Sequence, residues 1–79
     1  MEIINNRWVK VGQVSKASSS YILLRGIERV TIQGARSNEG PYNVLVYANG
    51  NEFLYKTESV HGDAENAVID LLKSIDAAV

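Results

Sequence analysis

The chain has 79 residues, a net charge of −1 and no cysteine, which excludes disulfides and thiolate metal sites. Its hydrophobic content of 46% and charged content of 22% are ordinary for a folded domain and argue against disorder. The longest apolar run, residues 44–48, is far shorter than a membrane span, and the first residues lack the features of a signal peptide. We therefore expect a single domain over residues 1–79, located in the cytoplasm and without membrane contact.

Charge is distributed unevenly along the chain. Residues 1–36 hold six bases and two acids, a net charge of +4, whereas residues 37–79 hold two bases and seven acids, a net charge of −5. Such asymmetry favours a charged partner for one half if folding places that half on one surface.

The first half of the chain predicts three strands. Residues 7–14 mix β-branched and aromatic side chains with polar ones, residues 21–24 are apolar, and residues 29–33 alternate. The small polar run at residues 15–20 predicts a loop. Between the second and third strands, residues 25–28 predict a tight turn in which Gly26 supplies backbone angles that other residues resist. Residues 34–41, with two glycines and the only proline, predict a polar loop.

A β-hairpin follows, with strands at residues 42–48 and 51–57. The Asn49-Gly50 pair between them predicts a type I′ turn, which requires positive φ at both central residues. A two-residue loop fixes the register and therefore the side of the sheet on which each pair lies. One side then carries the pairs Val46–Phe53, Val44–Tyr55 and Tyr42–Thr57. The other side carries Tyr47–Glu52, Leu45–Leu54 and Asn43–Lys56.

Residues 63–78 predict a helix, with Asp63 as its N-cap. Its apolar stripe recurs at helical spacing and comprises Ala64, Val68, Leu71, Leu72 and Ile75. The stripe should cover the Val46/Phe53 side of the sheet. The predicted fold is therefore α+β: an antiparallel sheet of about five strands with one C-terminal helix packed across one face, an arrangement that can also curl into a half-barrel.

Three segments carry a resemblance in layout to a known family: YILLRGIERVTIQ, then YNVLVYANGNEFLYKTES, then a helix containing IDLLKSI. This order of strand, tight turn, strand, Asn-Gly hairpin and helix resembles that of short bacterial FlbD-type flagellar proteins and of small phage and bacterial proteins. The resemblance implies the order of elements and a bacterial or phage source. It transfers no functional residue to this chain.

The search for chemical motifs predicts no catalytic residue, no cofactor and no metal site. His61 is the only histidine, which excludes a histidine cluster within one chain. Ser59, His61 and Asp63 belong to one short segment, and three residues of one loop rarely present the geometry of a catalytic triad. The carboxylates show no paired spacing typical of general acid–base catalysis. We expect a non-enzymatic protein.

Three functions remain, and the first two, which belong to different classes, are favoured over the third. The first is a protein-interaction module acting as a homo-oligomer, most simply a dimer, through Leu45, Leu54 and Tyr47 on the sheet side away from the helix. A different protein partner would use the same kind of apolar surface. The third is a small-ligand site or an enzyme at a subunit interface.

The second function is nucleic-acid binding through the basic N-terminal strands. It predicts contacts from Arg25, Arg29 and Arg36, together with those aromatic side chains that are exposed. The sequence places Tyr47, Tyr21 and Trp8 among the candidates for exposure. The net charge of −1 weighs against this function, because nucleic-acid-binding domains are usually basic.

Overall fold

The structure, a computed structural model, describes residues 3–13, 16–34 and 41–79 of the chain, and of residues 16 and 17 the backbone only. It confirms the α+β fold with an antiparallel sheet and a C-terminal helix. The elements in chain order are β1 (Ile3–Ile4), β2 (Trp8–Gln13), β3 (Lys16–Leu23), a 3₁₀ turn (Leu24–Gly26), β4 (Ile27–Gln33), β5 (Tyr42–Ala48), β6 (Asn51–Glu58) and α1 (His61–Asp76).

The sheet is curled but not closed into a barrel. Strand β2 pairs with β3 along one edge, and with β1 and β6 on its other edge; β5 and then β4 follow β6. In a flat sheet, β3 and β4 would lie about 19 Å apart, at about 4.8 Å per strand. The chain from Leu23 to Ile27 spans at most about 14 Å when fully extended. The sheet must therefore curl to bring these ends of its two outer strands together at the 3₁₀ turn.

The predicted loop at residues 15–20 is wrong, because residues 16–20 belong to β3. Three consecutive serines have little β-propensity of their own. Pairing along β2 determines their conformation instead, with Ser20 opposite Val11 and Ser19 opposite Gly12. Gly26 also differs from the prediction: it lies in the 3₁₀ turn without a positive φ, so its backbone conformation is open to other residues.

The Asn-Gly hairpin is confirmed, since Asn49 has φ 54° and Gly50 has φ 76°. The predicted pairs hold from the turn as far as Leu45–Leu54. Beyond that point a β-bulge shifts the register by one residue, which overturns three predicted pairs. The observed partners are Val44–Lys56, Asn43–Thr57 and Tyr42–Glu58.

The bulge changes which side chains meet at the far end of the hairpin. The Thr57 hydroxyl donates to Asn43 Oδ1 at 2.9 Å, on the side opposite that predicted for Thr57. Lys56 and Glu58 form an ion pair at 3.3 Å. Tyr55 is the extra residue of β6, and its ring packs against both clusters of the core.

A second turn with positive φ joins β1 to β2. Asn5 and Asn6 have φ 56° and 52°, and the Arg7 N–H donates to the Ile4 carbonyl at 3.1 Å. Asparagine tolerates this left-handed region better than most residues do, so the Asn-Asn pair is the sequence signal for the turn. Its consequence is an extra short strand, β1, beside β2.

Helix α1 packs on the sheet side that bears Val44 and Val46, as predicted; we call this side the inner face and the opposite side the outer face. The main cluster of buried residues comprises Val9, Val11, Leu24, Val46, Leu71 and Ala78.

Two further contacts constrain the chain. Gly34 lies so close to Tyr42 that a Cβ on it would be 2.8 Å from the Tyr42 ring. The chain end is fixed by the Val79 N–H, which donates to the Asn6 carbonyl at 3.0 Å.

Two details of the predicted helix are wrong. The helix begins at His61 after Val60, so Asp63 lies in its first turn and is not the N-cap. The buried stripe contains Ala67 and excludes Leu72, which is exposed. The helix is thus rotated relative to the prediction, and a large apolar side chain points away from the core.

Candidate interaction surface

The outer face of β1, β2 and β3 carries an exposed apolar surface. In β2, Val9 and Val11 are buried in the core on the inner face, so the alternating neighbours Trp8 and Lys10 lie on the outer face. The same alternation applies in the flanking strands, where Ile3 and Ile22 pack against the core. The large apolar side chains left outside form what we call the sheet patch: Ile4, Trp8, Tyr21 and Leu23.

Strand register brings these four side chains together. Trp8 lies opposite Ile4 on one edge of β2 and opposite Leu23 on the other, so the three form a row across the strands. Tyr21 lies one step along β3, opposite Lys10. Ile4, Trp8 and Tyr21 line an open apolar depression of about 390 Å³. The exposed fractions of the four side chains range from 38% for Trp8 to 53% for Tyr21.

The surroundings of the sheet patch are basic. Residues 3–13 and 18–26 contain three bases, Arg7, Lys10 and Arg25, and no acid. Lys10 lies on the outer face beside Tyr21, and Arg7 and Arg25 are exposed next to Trp8 and the end of β3. The Leu24 N–H donates to the Arg7 carbonyl at 2.8 Å, which holds the Arg7 and Arg25 segments together. The patch is therefore apolar at its centre and positive around it.

The three residues predicted for self-association also lie on the outer face. Leu45 is only 2% exposed within the single chain, between its pairing partners Thr31 and Leu54. Leu54 and Tyr47 are half-buried. Because Leu54 pairs with Gly12 of β2, this group adjoins the strands of the sheet patch. The exposed area comes mainly from the sheet patch, in which the sequence had not singled out Ile4 or Leu23.

Tyr47 is held by two neighbours. The guanidinium of Arg29 stacks over its ring at 4.1 Å, a cation–π contact. Its hydroxyl donates to the Glu52 carboxylate. On the same strand as Arg29, Glu28 accepts the Asn49 N–H at 2.7 Å and so caps the hairpin turn. Tyr47 is thus less available to a partner than Trp8 and Tyr21, which are 38% and 53% exposed.

Two of the three predicted nucleic-acid contacts lie among the described residues. Arg25 lies exposed in the 3₁₀ turn, and Arg29 lies exposed on β4 over Tyr47. Arg36 lies outside the described residues. The basic residue that directly accompanies exposed aromatic rings is Lys10, opposite Tyr21.

His61, the first residue of α1, takes part in a local surface contact. Its Nδ1 lies 3.0 Å from a Glu65 carboxylate oxygen, and its ring meets Tyr42 edge-on at 5.2 Å. No group of three metal-binding side chains occurs among residues 3–13, 16–34 and 41–79. These contacts describe a helix start whose histidine is paired on the surface.

A groove of about 320 Å³ opens where β3 approaches the β5–β6 turn. Its lining includes Tyr21 and Leu23 from β3, Asn49 and Asn51 from the turn region, and Phe53. This volume lies at the lower end of the range for small-molecule pockets. It adjoins the sheet patch, since Trp8 and Tyr21 line both depressions.

Within the described part of the chain, no helix is both long and apolar enough to cross a membrane.

Comparison with known proteins gives no family, because no family profile, no curated protein and no solved structure matches this chain.

Proposed function

We propose that this chain is a small, non-enzymatic interaction module of the cytoplasm that self-associates through the outer face of its sheet. The observation that carries the proposal is the sheet patch, where Ile4, Trp8, Tyr21 and Leu23 stand together in solvent. Scattered apolar side chains on a surface are ordinary, whereas a contiguous group usually marks a contact site.

The size of the patch indicates the strength of the contact. At about 200 Å² for a large apolar side chain, the exposed fractions leave roughly 350 Å² of apolar surface. Burying that area on one copy contributes about 9 kcal/mol, before the apolar area covered on the second copy and the opposing terms are counted. Association costs about 4–15 kcal/mol in lost freedom, and the patch is small beside the roughly 800 Å² per partner of a standard stable interface, so we expect a small surplus. We therefore expect reversible association that depends on protein concentration.

Trp8 provides a direct assay, because it is the only tryptophan of the chain. Its emission should shift to the blue as concentration rises from roughly 10 μM to 1 mM, the range suited to small, weak interfaces. Sedimentation should show a parallel rise in mass above the 8.7 kDa of one chain. The variant Tyr21→Glu keeps Trp8 and should abolish both changes. A wild-type chain that stays monomeric with unchanged emission contradicts the proposal.

A matched control is available in Val60→Glu. Val60 is as exposed as the patch residues but lies just before α1, outside the sheet patch. This variant carries the same kind of charge substitution and should associate like the wild type. Equal loss of association in both variants would show that added negative charge, and not the patch, is responsible.

Nucleic-acid binding is the second candidate, favoured by Trp8 and Tyr21 standing beside Lys10 on a face whose surrounding residues are basic. Exposed aromatic rings can stack on bases while lysine and arginine neutralise phosphates. Labelled single-stranded DNA and RNA would then quench Trp8 emission, with affinity falling steeply as salt increases. Replacing Arg25, Arg29 and Arg36 by alanine should reduce the salt slope by about two to three units. No binding at low salt would exclude this candidate.

A further inference from the structure

A second exposed apolar surface lies on helix α1. Ile69 and Leu72 are both about half exposed, and at a spacing of three residues they lie on one side of the helix. Glu65 lies four residues before Ile69, and Asp76 lies four residues after Leu72, on the same side. We call Ile69 and Leu72 the helix patch; an acidic residue brackets it at each end, and the exposed base Lys73, four residues after Ile69, borders it.

The charge of the helix contrasts with that of the sheet patch. Around the helix patch, the two carboxylates of Glu65 and Asp76 outnumber the one lysine, Lys73. The sheet patch is accompanied by Lys10, Arg7 and Arg25 in a segment without acids. Each surface therefore has an apolar centre, and their surrounding charges are opposite in sign.

These charges discriminate between the ways in which two copies can meet. Two sheet patches face to face would bring bases together, and two helix patches would bring acids together. Juxtaposed like charges weaken a contact, whereas a sheet patch against a helix patch pairs opposite charges around two apolar surfaces. Charge complementarity thus favours the unlike pairing.

One chain cannot make this contact within itself. Helix α1 packs on the inner face of the sheet, while the sheet patch lies on the outer face, and both patches remain exposed. Resting on the self-association proposed above, we infer that the sheet patch of one copy binds the helix patch of a second copy, head to tail. A head-to-tail contact leaves one unused patch at each end, so assembly continues beyond two copies.

A mixing experiment tests this inference. The sheet variant carries Tyr21→Glu with Leu23→Glu, and the helix variant carries Ile69→Lys with Leu72→Lys. Each variant alone should remain monomeric by sedimentation, because each lacks one of the two partners. Mixed in equal amounts, they should form a 1:1 complex of two chains and nothing larger, since the intact helix patch of one meets the intact sheet patch of the other.

Charge reversal gives a second test that leaves the apolar side chains and the core untouched. Lys10→Glu with Arg25→Glu should weaken association at least tenfold, as should Glu65→Lys with Asp76→Lys. Combining all four changes in one chain restores opposite charges, and association should return. Exposed contacts of charged side chains, such as that of Glu65 with His61 Nδ1 at 3.0 Å, contribute little to folding, so these variants should fold.

The alternatives give different results. If the helix variant alone still forms dimers, the sheet patch pairs with itself; self-association stands and the head-to-tail contact is overturned. If the sheet variant alone still associates, both the outer-face proposal and the head-to-tail contact are wrong. If the wild-type chain is monomeric at all concentrations, self-association itself fails, and Trp8 quenching by an oligonucleotide would then identify nucleic acid as the partner.

Discussion

Two adjacent leucines of α1 offer a sharp test of how the helix is seated. Leu71 is 0% exposed and belongs to the main core cluster, whereas Leu72 is 46% exposed on the helix patch. Leu71→Ala should lower the free energy of unfolding by about 3 kcal/mol, the range for a buried leucine whose removal leaves a cavity. Leu72→Ala should lower it by less than about 1 kcal/mol, because half of that side chain is already in water.

The measurement is urea unfolding followed by circular dichroism at a concentration where the chain is monomeric. A chain of this length is expected to be stable by about 4–12 kcal/mol. With a urea slope near 1 kcal/mol/M, Leu71→Ala should move the midpoint down by about 3 M, and Leu72→Ala by less than 1 M. Equal losses for the two variants, or a larger loss for Leu72→Ala, would refute the rotation of the helix and with it the helix patch.

Other predictions concern the hairpin turn and the core tyrosine. Gly50→Ala should lower stability by about 1–2 kcal/mol because Gly50 has φ 76°; Gly26→Ala, where a Cβ would meet only an ordinary contact at 3.7 Å, is the control and should have little effect. Burial, with a smaller contribution from Asp70, raises the pKa of Tyr55 above 10.0. The unfolded chain therefore ionises first, so stability is full below about pH 10 and falls above it; Tyr55→Phe should remove this part of the decline in urea unfolding measured between pH 8 and 11.

The hairpin and the presence of the helix could be predicted because their signals are local. Asn49-Gly50 favours one turn type, and that turn fixes the neighbouring pairs as far as Leu45–Leu54. The sequence does not predict the bulge at Tyr55, because a one-residue shift in register depends on how the whole strand packs against its neighbours and the core. A register derived from a turn is therefore most secure near the turn.

Strand β3 and the rotation of α1 were missed for a related reason. The serines of β3 adopt a strand conformation because β2 lies beside them, and no local property of the serines indicates this. In the helix, either Ala67 or Leu72 can be assigned to the buried side, and hydrophobicity alone favours the leucine. The structure buries the smaller Ala67, which permits close approach of helix and sheet, and leaves Leu72 in solvent. Both errors prevented the sequence from predicting the two patches. With a loop predicted at residues 15–20, the full alternation of β3 was not considered. With Leu72 predicted to be buried, no helix patch was expected.

The uneven charge along the sequence bears on association because of where the fold places the charged residues relative to the two patches. A net charge of −1 suggests a nearly neutral molecule, yet Arg7, Lys10 and Arg25 accompany the sheet patch while Glu65 and Asp76 bracket the helix patch. If these opposite charges bring copies together, raising the salt concentration from about 50 to 500 mM must weaken association, since the screening length falls from roughly 14 to 4 Å. Contacts that depend on apolar burial alone would be unchanged or strengthened by salt. Sedimentation of the wild-type chain across this range separates the two, and association that strengthens with salt would show that the charges around the patches do not direct assembly.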